Sequence, residues 1–321
     1  MDDNPRRTTG SLSERRARYA RRARQAACAA TVLALLPLVS ACQYLRPPVD
    51  TYTGPTLPPS PSLDQVANFV NTNARQIQSF TADQASISGP GFPSLRSQIV
   101  FERPRRLRIL GETSLTGLEL DVGSNDELFW FWVRRNEPPA TYFCRYDRYY
   151  TSAARQLVPI DPEYLIDALG LVEIDPAKVI SGPVPVAGNR LEIRSRIDSP
   201  EGPLTQVLLV DAKYGLVTAQ HLYDGSGRLI ASATNLNHRR DPVTGLTLPR
   251  RVKIEIPRSE LSLLINLGNA KINRVVGDPA HLWTMPNYAG YPLVDLSDPR
   301  IQAIPAAASR SDERKPAFTL R

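Results

Sequence analysis

Few residues in this 321-residue chain are of a type and spacing that could do chemistry. The three histidines, His221, His238 and His281, stand far apart, and none sits in an HxxxH or HExxH pattern that would aim two imidazoles at one metal ion. No G-x-S-x-G elbow presents a nucleophilic hydroxyl. Gly123-Ser-Asn-Asp126 and Gly225-Ser-Gly227 have the composition of turns and lack the context of a phosphate loop. Asp121, Asn125 and Asp126 could offer oxygens to Ca²⁺, but they are sparse for an ion that takes about six to eight, and a turn is the better account. Cys144 is a lone thiol beside Phe143 on an expected strand, the setting of a buried, inert cysteine. The inventory points to a protein that is not an enzyme, with no metal site and no cofactor.

One cysteine is differently placed. Eight arginines between Arg6 and Arg24 precede the apolar run Ala26 to Cys42, a charged region and hydrophobic core of secretory type, and the run is short for a bilayer span of about 20 residues. It ends in Val39-Ser40-Ala41-Cys42, which resembles the lipobox of bacterial lipoprotein precursors. That resemblance implies cleavage before Cys42, a di- or triacylated Cys42 as the new N-terminus, and the membrane as a partner through that lipid. Two or more chains hold a protein stably, at about 0.8 kcal/mol per buried methylene. A plain signal peptide or an anchor helix that happens to end in cysteine is the alternative. Gln43, in place of aspartate, implies the outer membrane facing the periplasm under the sorting rule of two-membrane bacteria.

The leader also carries most of the charge. The whole chain has 39 Lys+Arg against 32 Asp+Glu, a net +7; residues 1–41 take away eight arginines and Asp2, Asp3 and Glu14, leaving 31 against 29. A mature charge near +2 gives no reason to expect nucleic acid as a partner. Cys28 leaves with the leader and Cys42 is taken by lipid, so Cys144 has no disulfide partner in the chain.

The elements follow from periodicity. Residues 43–61 hold six prolines and read as an extended tether, at about 3.1 Å per residue where polyproline-like. Ser62 and Gln65 form a capping box for a helix whose stripe is Leu63, Val66, Val70, Ala74 and Ile77, with Asp64, Asn68, Asn71, Asn73 and Arg75 on the wet side. From Thr81 the period is two: Arg106 and Arg108 alternate with Leu107 and Ile109, and Lys253 and Glu255 with Val252, Ile254 and Ile256, which predicts strands with one face in solvent. Asp211 to Gly215 and Asp224 to Gly227 punctuate a meander. Roughly ten strands result, interrupted by a short helix from Asp161 or Pro162 to Leu169, with Gly170 after it. The fold class is mainly β, one large curled antiparallel sheet or incomplete barrel capped by the N-terminal and internal helices.

This order of elements resembles a known family. Gln78-Ser-Phe-Thr-Ala82 after the helix, Phe101-Glu-Arg-Pro-Arg-Arg-Leu-Arg108, Asn125-Asp-Glu-Leu-Phe-Trp130, Leu209 to Leu216 and Leu248-Pro-Arg-Arg-Val252 look like the LolA/LolB-like fold of lipoprotein carriers and receptors, over roughly Leu63 to Val276. The resemblance implies a half-barrel that holds acyl chains in an apolar cavity. The Pro-rich tether and long C-terminal extension depart from that pattern.

Glu127 to Val133 is the sharpest local feature: Phe129, Phe131 and Val133 share one face, Leu128, Trp130 and Trp132 the other, so both faces must be covered. In a half-barrel Leu128, Trp130 and Trp132 are the candidate ligand contacts, with Tyr149 of the Tyr146 to Tyr150 cluster at a cavity rim. The alternative is a central strand packed on both sides with no ligand. The expected organisation is a signal peptide (1–41), a lipidated cysteine and tether (42–61), a half-barrel (62–276) and an extended C-terminal segment with a disordered tail (277–321). Two functions fit: a membrane-anchored binder of a lipid or of a lipoprotein's acyl chain, or a structural, protein-interaction lipoprotein with a filled core. The sequence leaves the oligomeric state unknown.

Overall fold

The computed structural model describes residues 52–302 except 150, 153, 159–161, 200 and 201. The leader, Cys42, the first part of the tether and the C-terminal tail lie outside the described residues. No described helix is long and apolar enough to cross a membrane.

Helix α1 (Leu63–Gln76) starts at the expected capping box, with both reciprocal bonds between Ser62 and Gln65 present. Its end is held by Arg103, whose guanidinium donates to the carbonyls of Ala74 (2.8 Å) and Ile77 (3.0 Å), the first of which also accepts the Ile77 N–H. The sheet then runs through β1 (Ser79–Gly89), β2 (Phe92–Glu102), β3 (Arg106–Thr113), β4 (Gly117–Ser124), β5 (Leu128–Val133) and β6 (Thr141–Arg145). Short helical turns and α2 (Pro162–Ile166) follow, then β7 (Val179–Val186), β8 (Arg190–Ile197), β9 (Leu204–Asp211), β10 (Val217–Tyr223), β11 (Leu229–Arg240), β12 (Thr247–Ile256), β13 (Leu261–Asn266), β14 (Lys271–Ile272) and β15 (Leu293–Asp295). All fifteen belong to one sheet, in the order β15-β6-β5-β4-β3-β2-β1-β13-β12-β11-β10-β9-β8-β7, with β14 pairing β1. Neighbours are antiparallel except β15 on β6.

The expected curled antiparallel sheet is therefore present, with more strands than the alternation showed. β7 escaped notice because Pro183 and Pro185 break its pattern; it is an edge strand, where a missing donor and two register irregularities are tolerated. The sheet curls around α2 and the wide turn Asp167–Leu171 that continues it. Tyr164, Ile166, Ala168, Leu169 and Leu171 share one buried cluster with Phe80, Ile99 and Ile109 from one half of the sheet and Leu248, Val252 and Ile254 from the other. Each fully buried Leu or Ile contributes roughly 1.5–3 kcal/mol, so this inner face is the main source of stability. The internal helix widens after Ile166 and breaks at Gly170, as expected, where the backbone turns left-handed (φ 99°) and a Cβ would meet Pro249 Cδ at 2.5 Å.

Two assignments of wet faces change. Asn71 on α1 is buried and exchanges two 2.8 Å bonds with the backbone of Ile174, and Asn73 does the same with Thr247 at 2.9 and 2.8 Å. The asparagines thus bracket the helix to the chain after α2 and to β12. Arg108, expected in solvent, is 7% exposed and paired with the fully buried Asp121 at 2.7 Å. The outer face of β2 to β5 is covered by the C-terminal segment, which alternation within a strand cannot reveal.

Candidate functional site

At one end of the half-barrel, α1 crosses above two turns, and between them lies a cleft of about 370 Å³. The turns share a sequence pattern. In Asp211-Ala-Lys-Tyr-Gly215 the carboxylate of Asp211 accepts from the N–H groups of Lys213 and Tyr214, and in Asp241-Pro-Val-Thr-Gly245 Asp241 accepts from Val243 and Thr244. Each closes on a left-handed glycine, φ 61° at Gly215 and 72° at Gly245. Gly215 is required twice over, since Phe69 of α1 lies where its Cβ would be, 2.4 Å from Cδ1.

The lining is mainly apolar. Phe69 and Val70 come from α1, Val172 from the chain after α2, Leu216 and Val217 from the β9–β10 turn, and Leu246 and Pro249 from the β11–β12 side. Asn73 and Thr247 at the margin already satisfy each other. His238 also lines it; its Nε2 bonds the carbonyl of Val217 at 3.2 Å, and burial pushes its pKa down to about 4. The imidazole is therefore neutral near pH 7, and no charge faces the cleft from β11. Such a cavity can hold an apolar chain and offers no arrangement of acid, base and nucleophile.

Tyr52 and Pro55 close one side. The Tyr52 hydroxyl bonds Thr247 Oγ1 at 3.0 Å and its ring meets Tyr214 edge-on at 5.0 Å. Farther along, Leu57 is buried among Val66, Val70 and Leu191, and its N–H donates to the carbonyl of Lys213 at 2.8 Å. Residues 52–61, read in the sequence as free tether, thus start the folded unit. Its four prolines concealed the contact, because a docked extended segment and a solvated one have the same composition.

The sequence-derived candidates do not assemble into one site. Phe129 and Phe131 face inward, Phe129 in a cluster with Cys144, Tyr149 and Leu296. By parity Leu128, Trp130 and Trp132 face outward. Trp130 is fully buried, with its indole N–H 3.4 Å from Asp121 Oδ1 and the Arg108 guanidinium 5.1 Å above its ring. Trp132 lies tilted against Tyr288 at 4.3 Å and meets Tyr291 edge-on at 5.2 Å. The expectation that these indoles line a cavity is corrected by the face they occupy: the chain's own C-terminal segment covers them. Arg108 reinforces that cover by donating to the carbonyls of Leu282 (3.1 Å) and Thr284 (3.0 Å), and the Tyr288 hydroxyl donates to Asp121. Tyr149 is buried on the inner side and donates to the Val158 carbonyl at 3.3 Å, so it forms no rim. Cys144 is fully buried, and its thiol is pushed up to about 11, chiefly by burial, which suits packing and not nucleophilic attack. Among the described residues no group of three or more His, Cys, Asp or Glu side chains could hold a metal ion. The cleft residues were missed because they come from five separate stretches; the repeated Asp-x-x-x-Gly turns were the one legible signal.

No family model and no curated protein matches the chain. Solved structures do. A domain of an outer membrane lipoprotein-sorting protein from Vibrio parahaemolyticus superposes with TM-score 0.48 at 9% identity, covering 68% of this chain and 94% of that one. A LolA superfamily protein from Nitrosomonas europaea gives 0.40 at 12%, covering 68% and 97%. A DUF1329 family protein from Desulfovibrio piger gives 0.43 at 13%, covering 72% and 100%. At these values the likeness assigns neither ligand nor activity.

Proposed function

We propose that this protein is an envelope lipoprotein, anchored through acylated Cys42, that binds an apolar chain of a lipid or lipoprotein without chemistry of its own. The observation that carries the reading is the cleft beneath α1, with its apolar lining and neutral imidazole. Its volume of about 370 Å³ is near the lower end of the roughly 300–1,000 Å³ of ligand sites, which suits a single acyl chain better than a whole phospholipid. Gln43 favours the outer membrane, with the domain in the periplasm. A second reading, a scaffold that recruits a protein partner, has its own support: α2 and the turn after it pack against the inner face of the sheet.

Native mass spectrometry on the non-acylated chain from Gln43, purified without detergent, separates the two. A co-purifying or added fatty acid that binds to the wild type and is lost in Leu216→Trp, with the fold intact by circular dichroism, supports the binder. An apo mass that stays apo with added fatty acid leaves the scaffold. Cys42→Ser should move the protein from the membrane to the soluble fraction; retention at the membrane would defeat the anchor.

A further inference from the structure

The segment Tyr52 to Leu57 is held unevenly. At its inner end Leu57 is buried and bonded to Lys213. At its outer end Tyr52 lies along the cleft, with its hydroxyl on Thr247 and its ring edge on Tyr214. Between them Pro55 is the other contribution to the cleft wall, and Gly54 makes room for the Tyr52 ring, which lies where a Cβ would be. A hydroxyl–hydroxyl bond and one aromatic contact at a half-exposed position are weak restraints, whereas the Leu57 anchor belongs to the core. The geometry is that of a hinged flap, fixed at Leu57 and latched at Tyr52.

We propose that residues 52–56 are the gate of the cleft, with the Tyr52 hydroxyl on Thr247 as its latch. The inference rests on the reading of the cleft as an acyl-chain site and adds how that site is regulated. The cleft wall that Tyr52 forms belongs to the same stretch of chain that leads back to Cys42, ten residues upstream. Of the walls, α1 is locked by the Asn71 and Asn73 brackets and the two turns by their aspartates and glycines, so the flap is the part that can yield without breaking the core.

The test is stopped-flow uptake of a fluorescent fatty acid by the full mature chain, wild type against Tyr52→Phe and Tyr52→Ala. Tyr52→Phe keeps the ring and loses the latch; an uptake rate about fivefold faster is expected, the size of one hydroxyl hydrogen bond. Tyr52→Ala should be faster still, with a correspondingly faster release. Uptake by the wild type at the same rate as both variants overturns the gate while leaving the acyl site standing. No uptake by the wild type or by Tyr52→Ala overturns both.

Discussion

Two apolar regions of this molecule have opposite fates. The outer face of β2 to β5, with Val100, Trp130 and Trp132, is sealed by the C-terminal segment through ring contacts and the buried Arg108–Asp121 pair with Tyr288. The cleft under α1, with Phe69, Val172, Leu216 and Leu246, is bordered by polar brackets at its margin and a light flap, and its interior is unfilled. Both are apolar surfaces. What distinguishes them is the closure: a desolvated ion pair is costly to break, whereas a single part-buried bond between two hydroxyls costs less. A cover of the first kind is structural, and one of the second kind permits exchange.

The contrast can be broken most forcefully at Asp121. Asp121→Ala leaves the Arg108 guanidinium buried without its carboxylate, and a loss of about 3–5 kcal/mol in denaturant unfolding is expected, with acyl binding by the folded fraction unchanged. Lost binding at retained stability would show that the outer face is part of the site.

Gly215→Ala addresses the other region. The substitution forces a side chain into a left-handed position and onto Phe69, so a loss of about 1–3 kcal/mol is expected together with weakened acyl binding, because α1 is displaced from the cleft. Stability equal to the wild type would mean that Phe69 can move freely.

His238 gives a pH test of the same wall. Its folded pKa is depressed to about 4 against an ordinary value near 6.5, so the unfolded chain binds more protons between those limits. The sign follows: stability is present above pH about 6.5 and falls by about 1–3 kcal/mol as the solution is acidified toward pH 4. His238→Gln should flatten that part of the profile, and an unchanged slope would remove His238 from the account.

The smallest effect is expected at Arg96, whose 2.7 Å pair with Glu112 is exposed on both sides. Arg96→Ala should change stability by no more than about 1 kcal/mol and leave both regions as they are. It serves as the control for charge removal.

Much of the architecture was legible because it is local. The capping box at Ser62 fixed where α1 begins, alternation in Val252 to Ile256 marked β12, and Gly170 marked the end of the internal helix, each through a signal within a few residues. The unread parts depend on contacts between distant segments. Arg108 looked like a solvent residue because its carboxylate is 13 positions away and its cover about 175, and Asn71 looked wet because its partner, Ile174, is 103 away. The indoles of Trp130 and Trp132 were recognised as needing cover, but parity within a strand cannot say which face is inside.

The sequence by itself therefore determined the periods, the caps, the turns and the scarcity of catalytic groups, since these follow from backbone sterics and from side-chain chemistry over short distances. Tertiary structure alone decided which apolar surface is sealed and which is open, because that depends on where a returning segment of chain comes to rest.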